Sequence, residues 1–290
     1  YSMILVTCAT GHLGKATIDF LFKKVPAGSV AALVRDLSKA EDLKSLGVTL
    51  KTGDYNDQAS LAGAFKGVET LLLISSGSME NRVQQHINAI DAAKANGVKH
   101  VIYTGVLRSN PDTKFTAGLD HYHTEEHLKK SGVSYTFFRN TYYTDVLPMI
   151  LGDALASGNW YYAAGQAKAN FASRTDMAEA LANVLAEPGK HVNKTYEITG
   201  SKAYSFSEIA EVVSGFAGKP VNYIPITLED LQEGMRKAGV PEIYIPLMAG
   251  LADSIAAGEF DVAFPALEQL LGRKPEEIGV TLGKVFAQKA

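Results

Sequence analysis

The chain has 290 residues, 46% apolar and 20% charged, with a formal net charge of −3. That balance excludes a disordered chain, and the length is sufficient for one large α/β domain carrying a smaller lobe. With no long basic run, no apolar stretch of about 18 residues and Cys8 as the single cysteine, neither nucleic acid nor a membrane is an expected partner, an intrachain disulfide is excluded, and the cytoplasm is the expected location.

Residues 4–7 read as a buried strand, after which Leu13, Ala16, Thr17, Phe20 and Leu21 recur at helical spacing on one face. Residues 30–34 form a second strand and 48–50 a third. Asp54 and Asp57 then stand as candidate caps of a helix whose inward positions are Leu61, Ala64 and Phe65. The fourth strand covers 70–74. A helix over 81–96 places Val83, His86, Ile87, Ile90 and Ala93 on one face and ends at Gly97. A fifth strand at 100–104, a polar loop, a helix over 122–130 ending near Gly132 and a sixth strand at 135–139 complete the alternation. Strands and helices in this order predict an α/β fold with a doubly wound parallel sheet.

Beyond Tyr143 the alternation gives way to helices interrupted by short strands at 194–199 and 221–226, the pattern of a smaller α+β substrate lobe. A helix over 175–187, capped by Thr175 or Asp176, and the strand after it return to the main sheet.

The segment Cys8-Ala9-Thr10-Gly11-His12-Leu13-Gly14 follows the first strand and opens the first helix. Free N–H groups at a helix start, with glycines that admit a close backbone approach, suit a pyrophosphate. The spacing is close to Gly-x-x-Gly-x-x-Gly with Cys8 at the first glycine. The bland alternative is a strand-to-helix turn that only needs small residues. If position 8 requires a positive φ, the cysteine β-carbon strains it. The second strand ends at Arg35, where a cation accommodates the 2′-phosphate of NADP(H) and an acid would select NAD. Lys39 is a possible helper, and Asp36 mixes the signal. NADPH is therefore the expected cofactor, against the reading of Arg35 as a solvated surface residue.

With this turn, Arg35, and the strings His121-Tyr122-His123-Thr124-Glu125 and Arg139-Asn140-Thr141-Tyr142-Tyr143, the whole chain resembles the NmrA-like atypical short-chain dehydrogenases/reductases. The resemblance implies a Rossmann-type domain over 3–150, completed by 171–199, a capping lobe over 200–290, and a cleft to which 151–170 contribute. It implies that Cys8 to Gly14 and Arg35 hold the cofactor phosphates, and that Asp54, beside Tyr55, lies on the adenine side. Ser75, Ser76 and Gly77 would pass under the cofactor. Arg139, Asn140 and Tyr143 would line its nicotinamide end, and Arg174 matches a position near it.

Ordinary members of the wider superfamily use a tyrosine with a lysine four positions later, and none of the 13 tyrosines has that spacing. Tyr122 is followed by Glu126 instead, which would raise a phenol pKa. The chemistry that remains is hydride transfer to an already electrophilic planar acceptor such as a quinone or cationic dye, where orientation supplies much of the catalysis. His121 is the candidate proton donor, with Thr124 and Glu125 as helpers; residues 124–126 could equally cap a helix start, and His121 could be structural. Tyr142, Tyr143, Trp160, Tyr161 and Tyr162 could stack on the acceptor or fill a core. The alternative is a non-catalytic NAD(P)-sensing regulator that binds a protein partner, for which the altered first glycine speaks. No cluster with metal-ligand spacing occurs, so no metal is expected, and self-association into a homo-oligomer stays open.

Overall fold

In the computed structural model, which describes residues 2–288, the chain begins β1 (Ile4–Val6), α1 (His12–Leu21), β2 (Val30–Val34), α2 (Glu41–Ser45), β3 (Thr49–Thr52), α3 (Gln58–Ala64), β4 (Thr70–Ile74) and α4 (Arg82–Ala95). It continues through β5 (His100–Val106), α5 (Thr116–Ser131), β6 (Ser134–Asn140), β7 (Tyr142–Tyr143), α6 (Leu147–Leu151), α7 (Ala154–Ser157), β8 (Asn159–Tyr162) and β9 (Lys168–Ala172). The rest is α8 (Arg174–Ala186), β10 (Lys194–Ile198), β11 (Ala203–Ser205), α9 (Phe206–Ala217), β12 (Asn222–Pro225), α10 (Leu228–Lys237), α11 (Ile245–Ala256), α12 (Ala266–Leu271) and α13 (Ile278–Gln288). No helix among the described residues is long and apolar enough to cross a membrane.

Seven strands form one sheet in the order β10-β6-β5-β4-β1-β2-β3. β1 pairs in parallel with both β2 and β4, and the parallel pairing extends from β2 to β3 and from β4 to β5. Every residue of β1, β2 and β4 is buried, as expected of parallel strands covered on both faces. The strand order reverses beside β1, so the loops leaving β1 and β4 diverge at the carboxyl edge of the sheet. A ligand crevice forms at such a switch point. Beneath it, Leu5, Leu71 and Leu73 pack with Phe65, Ile90 and Phe137.

The residues up to Gly105, with Asp120–Asn140 and Thr175–Tyr196, make one compact unit. Val106–Leu119, Thr141–Arg174 and the residues from Glu197 onward make a second. The second unit holds a three-stranded sheet, β11-β9-β7, and a two-stranded one, β12-β8. In its core the Trp160 and Tyr162 rings stack on Phe206 at centroid distances of 5.1 and 5.4 Å.

Two elements differ from the sequence expectation in ways that matter for function. The helix expected over 122–130 begins at Thr116, so Thr124, Glu125 and Glu126 lie inside α5 and do not cap a helix start. The buried face of α4 is also rotated: Gln85, His86, Asn88, Ala89 and Ile90 are buried while Val83 and Ile87 are only half-buried. Hydrogen-bond partners explain the rotation. Asn88 donates to the Tyr55 carbonyl and accepts from Gln58 and Gln84, and Gln85 reaches Asn56, so these amides are satisfied where an apolar stripe was expected.

The turn from β1 into α1 depends on one missing β-carbon. A Cβ on Gly14 would lie 2.5 Å from the Cys8 carbonyl oxygen and 3.0 Å from the Ala9 Cα, both backbone atoms that cannot rotate away. Gly14→Ala should therefore lower unfolding stability in a urea titration by about 1–3 kcal/mol, the cost of overpacking. Gly63→Ala, whose Cβ meets nothing within 4 Å on the exposed side of α3, should leave stability equal or raise it slightly.

Candidate functional site

Cys8 leaves β1 with φ +48, the left-handed conformation that favours glycine. This bend lets the Gly11 N–H donate to the Cys8 carbonyl at 3.0 Å, and α1 starts at the next residue. Gly11 offers the helix no side-chain cap. Among the described residues no acceptor takes the N–H groups of His12, Leu13 or Gly14. Three donors and the positive end of the α1 dipole are thus free for an anion. Thr10, Gly11 and His12 are exposed there, while Ala9, Leu13 and Gly14 are buried and fix the turn to the sheet.

The Cys8 Sγ lies 3.8 Å from the Tyr55 Oη and 3.7 Å from the Ile74 carbonyl, and Tyr55 also donates to that carbonyl at 3.0 Å. Residue 8, the segment after β3 and the end of β4 therefore meet at the switch point. Burial raises the Cys8 thiol pKa, against the opposing effects of the Tyr55 hydrogen bond and the Arg35 charge, so the group is a thiol and not a nucleophilic thiolate at neutral pH. Burial also pushes the Tyr55 phenol well above its ordinary range, the nearby Cys8 adding to the effect.

Arg35 is exposed at the end of β2 and makes no hydrogen bond or ion pair among the described residues. Asp36, which clouded the charge signal, is committed elsewhere: its carboxylate accepts from the Ser38 N–H and Oγ at 2.9 and 2.6 Å and caps the following turn. Those bonds hold its pKa below the usual value. The cation is left as the available charge. Lys39 is exposed on the same turn. Asp54 accepts from the Asn56 N–H at 2.8 Å and leaves the capping of α3 to Asp57, which accepts from the Ser60 N–H.

Behind this edge, the loop after β4 is tied down by its backbone. The Ser75 N–H donates to the Thr104 Oγ1 and the Ser76 N–H to the His86 Nε2, both at 2.9 Å. The Ser76 hydroxyl bonds the Gln85 side chain, and the Arg82 Nε donates to the Ser76 carbonyl. Gly77 stays exposed, with no heavy atom within 4 Å of where a Cβ would stand.

His121 and Thr124 are both buried. The Thr124 Oγ1 donates to the Asp120 carbonyl at 3.0 Å and contacts the His86 Nδ1 at 3.0 Å, so it acts on His121 only through neighbours. Burial, then the Arg82 charge and His86, drives the His121 pKa well below its ordinary value; burial and Arg82 lower that of His86 to about 3. Both rings are neutral at physiological pH. A neutral His121 ring carries one N–H and one bare nitrogen and is not a cationic acid. Glu125 is no helper: it forms a two-pronged ion pair with Arg139, Nε to Oε2 at 3.1 Å and Nη2 to Oε1 at 2.7 Å, which occupies both side chains.

Asn140 at the end of β6 is buried, yet neither its Oδ1 nor its Nδ2 has a hydrogen-bond partner. An orphaned buried carboxamide costs about 1–3 kcal/mol, which a ligand amide or hydroxyl could recover. In the second unit, the Arg174 guanidinium stacks over the Tyr143 ring at 5.2 Å, and the Arg174 N–H donates to Asp145. Tyr161 is 52% exposed, whereas Trp160 and Tyr162 are core residues. That unit also contains a cavity of about 520 Å³, walled largely by apolar side chains such as Leu147, Ile150, Phe171, Leu231 and Leu251. His86 and Tyr103 are the contacts that sequence reasoning missed: His86 reads as one position of a helix face and Tyr103 as one position of a buried strand.

The NmrA-like family model matches residues 1–278. The chain belongs to the NmrA-like family. Within it, the chain is 36% identical to quinone oxidoreductase 2 of Escherichia coli K12, covering 98% of this chain and 99% of that protein. It is 32% identical to an NAD(P)H azoreductase of Xenophilus azovorans over 83% and 82% of the two chains. The crystal structure of the Escherichia coli NADPH-dependent quinone oxidoreductase complexed with NADPH matches with a TM-score of 0.94 at 35% identity, covering 98% and 100%. That of Citrobacter sp. triphenylmethane reductase complexed with NADP(H) matches at 0.92 and 36%, covering 98% and 99%.

Cys8 is the departure from the glycine pattern with the clearest physical cost. A β-carbon in the left-handed region costs on the order of 1–2 kcal/mol. Cys8→Gly should bind NADPH as tightly as the parent or more tightly in a fluorescence titration; tenfold weaker binding would show that the thiol itself supports the site.

Proposed function

We propose that the protein is an NADPH-dependent reductase that passes hydride to a quinone or similar planar conjugated acceptor. The observation that carries this reading is the pairing of an uncapped α1 N-terminus with the uncommitted Arg35 at the next strand end. The amides of residues 12–14 would take the pyrophosphate, with Cys8 to Gly11 shaping the turn. Arg35 would take the 2′-phosphate through parallel hydrogen bonds. Asp54 and Tyr55 would flank the adenine side, Ser75, Ser76 and Gly77 would run beneath the cofactor, and the unpartnered Asn140 amide would meet its nicotinamide end. Arg139, held by Glu125, would support Asn140 from the same strand. NADPH would supply the hydride.

Relatives named for quinone, azo-compound and dye-class reduction support a planar acceptor. The absence of a Tyr-x-x-x-Lys pair fits an acceptor that is electrophilic before it binds. The alternative of a non-catalytic sensor is weakened by relatives named as reductases. One cysteine and the lack of a membrane-crossing helix among the described residues suit a cytoplasmic setting.

Parent protein should oxidise NADPH in the presence of a quinone panel and prefer it to NADH. Arg35→Ala should lower kcat/KM for NADPH by about tenfold to a hundredfold, the worth of a charge-assisted pair, and leave NADH nearly unchanged. An unaltered cofactor preference would remove Arg35 from the site, and no NADPH oxidation with any quinone would sink the reductase reading.

A further inference from the structure

Four groups in the first unit form a hydrogen-bond chain whose direction is fixed at one end. The Ser76 backbone N–H can only donate, and its acceptor is the His86 Nε2 at 2.9 Å. A neutral His86 must then carry its proton on Nδ1. That nitrogen faces the Thr124 Oγ1 at 3.0 Å and the Tyr103 Oη at 3.3 Å. The Thr124 hydroxyl has given its proton to the Asp120 carbonyl, so it accepts from His86. Tyr103 shares that single His86 proton as a second, longer acceptor, and its own proton goes to its shortest contact, the His121 Nδ1 at 2.5 Å. Since His121 accepts at Nδ1, its neutral ring carries hydrogen at Nε2. This nitrogen has no hydrogen-bond partner among the described residues.

We propose that the Ser76 amide, His86 and Tyr103 lock His121 as the Nε2–H tautomer, making it a fixed donor to the acceptor oxygen that gains charge, with His86 and Tyr103 as positioning residues. The donor role rests on the reductase reading above; the tautomer does not. The chain sets direction but cannot conduct protons. It ends on a peptide N–H, which cannot release its proton to refill His86, so a proton lost from the His121 Nε2 has no replacement along this route. The balance of a quinone reduction is therefore one hydride from NADPH and one proton from water, giving hydroquinone and NADP⁺. His121 keeps its own proton throughout and contributes an aimed dipole. The geometry also rationalises Gly105 on β5: a Cβ there would lie 3.3 Å from the Tyr103 ring and 3.5 Å from the His121 Cβ, crowding the pair.

The test is ¹⁵N-histidine NMR on the whole protein, with steady-state kinetics alongside. In the parent, His121 should show a protonated Nε2 and a bare Nδ1 that persist from about pH 8 to pH 5, below the ordinary histidine pKa. Tyr103→Phe should convert His121 to a mixture of tautomers. It should lower kcat with a quinone about fivefold, the worth of one neutral hydrogen bond, with KM for NADPH within about twofold of the parent. His121→Ala should lower kcat on the order of a hundredfold. A protonated Nδ1 on His121 in the parent, or titration near pH 6.5, would overturn the tautomer without any variant having to fold. The stated tautomer with unchanged kcat in both variants would overturn the donor role alone. Parent protein that oxidises no NADPH would overturn the reductase reading, and the tautomer measurement would still stand.

Discussion

The backbone contact between Gly14 and the carbonyl of Cys8 is the constraint on which the rest of the candidate site depends. Because no β-carbon intervenes, α1 can start against the end of β1 with three N–H groups facing outward at the point where the strand order reverses. Any side chain at position 14 would push the helix off the turn and turn those donors aside. The left-handed Cys8 is part of the same constraint, since its φ of +48 aims its carbonyl at the Gly11 N–H. The thiol at this position packs against Tyr55 and the Ile74 carbonyl.

Charge is distributed sparingly around that turn. Asp36 spends its carboxylate on Ser38, and Glu125 spends its own on Arg139. What remains for a ligand is a cation at Arg35, free amides at α1 and an orphaned carboxamide at Asn140. Behind them the loop after β4 is fixed from below by Thr104, His86 and Arg82. The buried histidines are neutral and orient groups through dipoles, while the Arg82 charge is met by Asp120 at 3.2 Å. Such an arrangement suits hydride chemistry, in which geometry and exclusion of competing charge matter more than strong acids.

The fold was legible because strand burial and helix spacing agree along the first half: 30–34 and 70–74 were placed to the residue, and Gly97, at φ +73, ends its helix as its position implied. The turn at 8–14 was legible for the same reason, being a local motif between two clear elements. What sequence could not show is where polar side chains find partners. Gln85 and Asn88 turned α4 because amides from neighbouring loops satisfy them, information that lies in contacts more than 25 residues apart for Asn56–Gln85 and Asn88–Tyr55. The start of α5 was missed because residues 116–121 carry no strong apolar stripe, and with it went the interior position of Thr124. Pairing of Arg139 with Glu125 is equally a tertiary fact.

The most direct test of the central claim follows the turn amides themselves. In ¹H–¹⁵N spectra titrated with NADP⁺, the backbone N–H signals of His12, Leu13 and Gly14 should move furthest among those of the first unit, and adenosine alone should leave them in place. Saturable NADP⁺ binding that leaves these three signals unmoved would contradict the placement of the pyrophosphate, and with it the account of how this sequence builds its site.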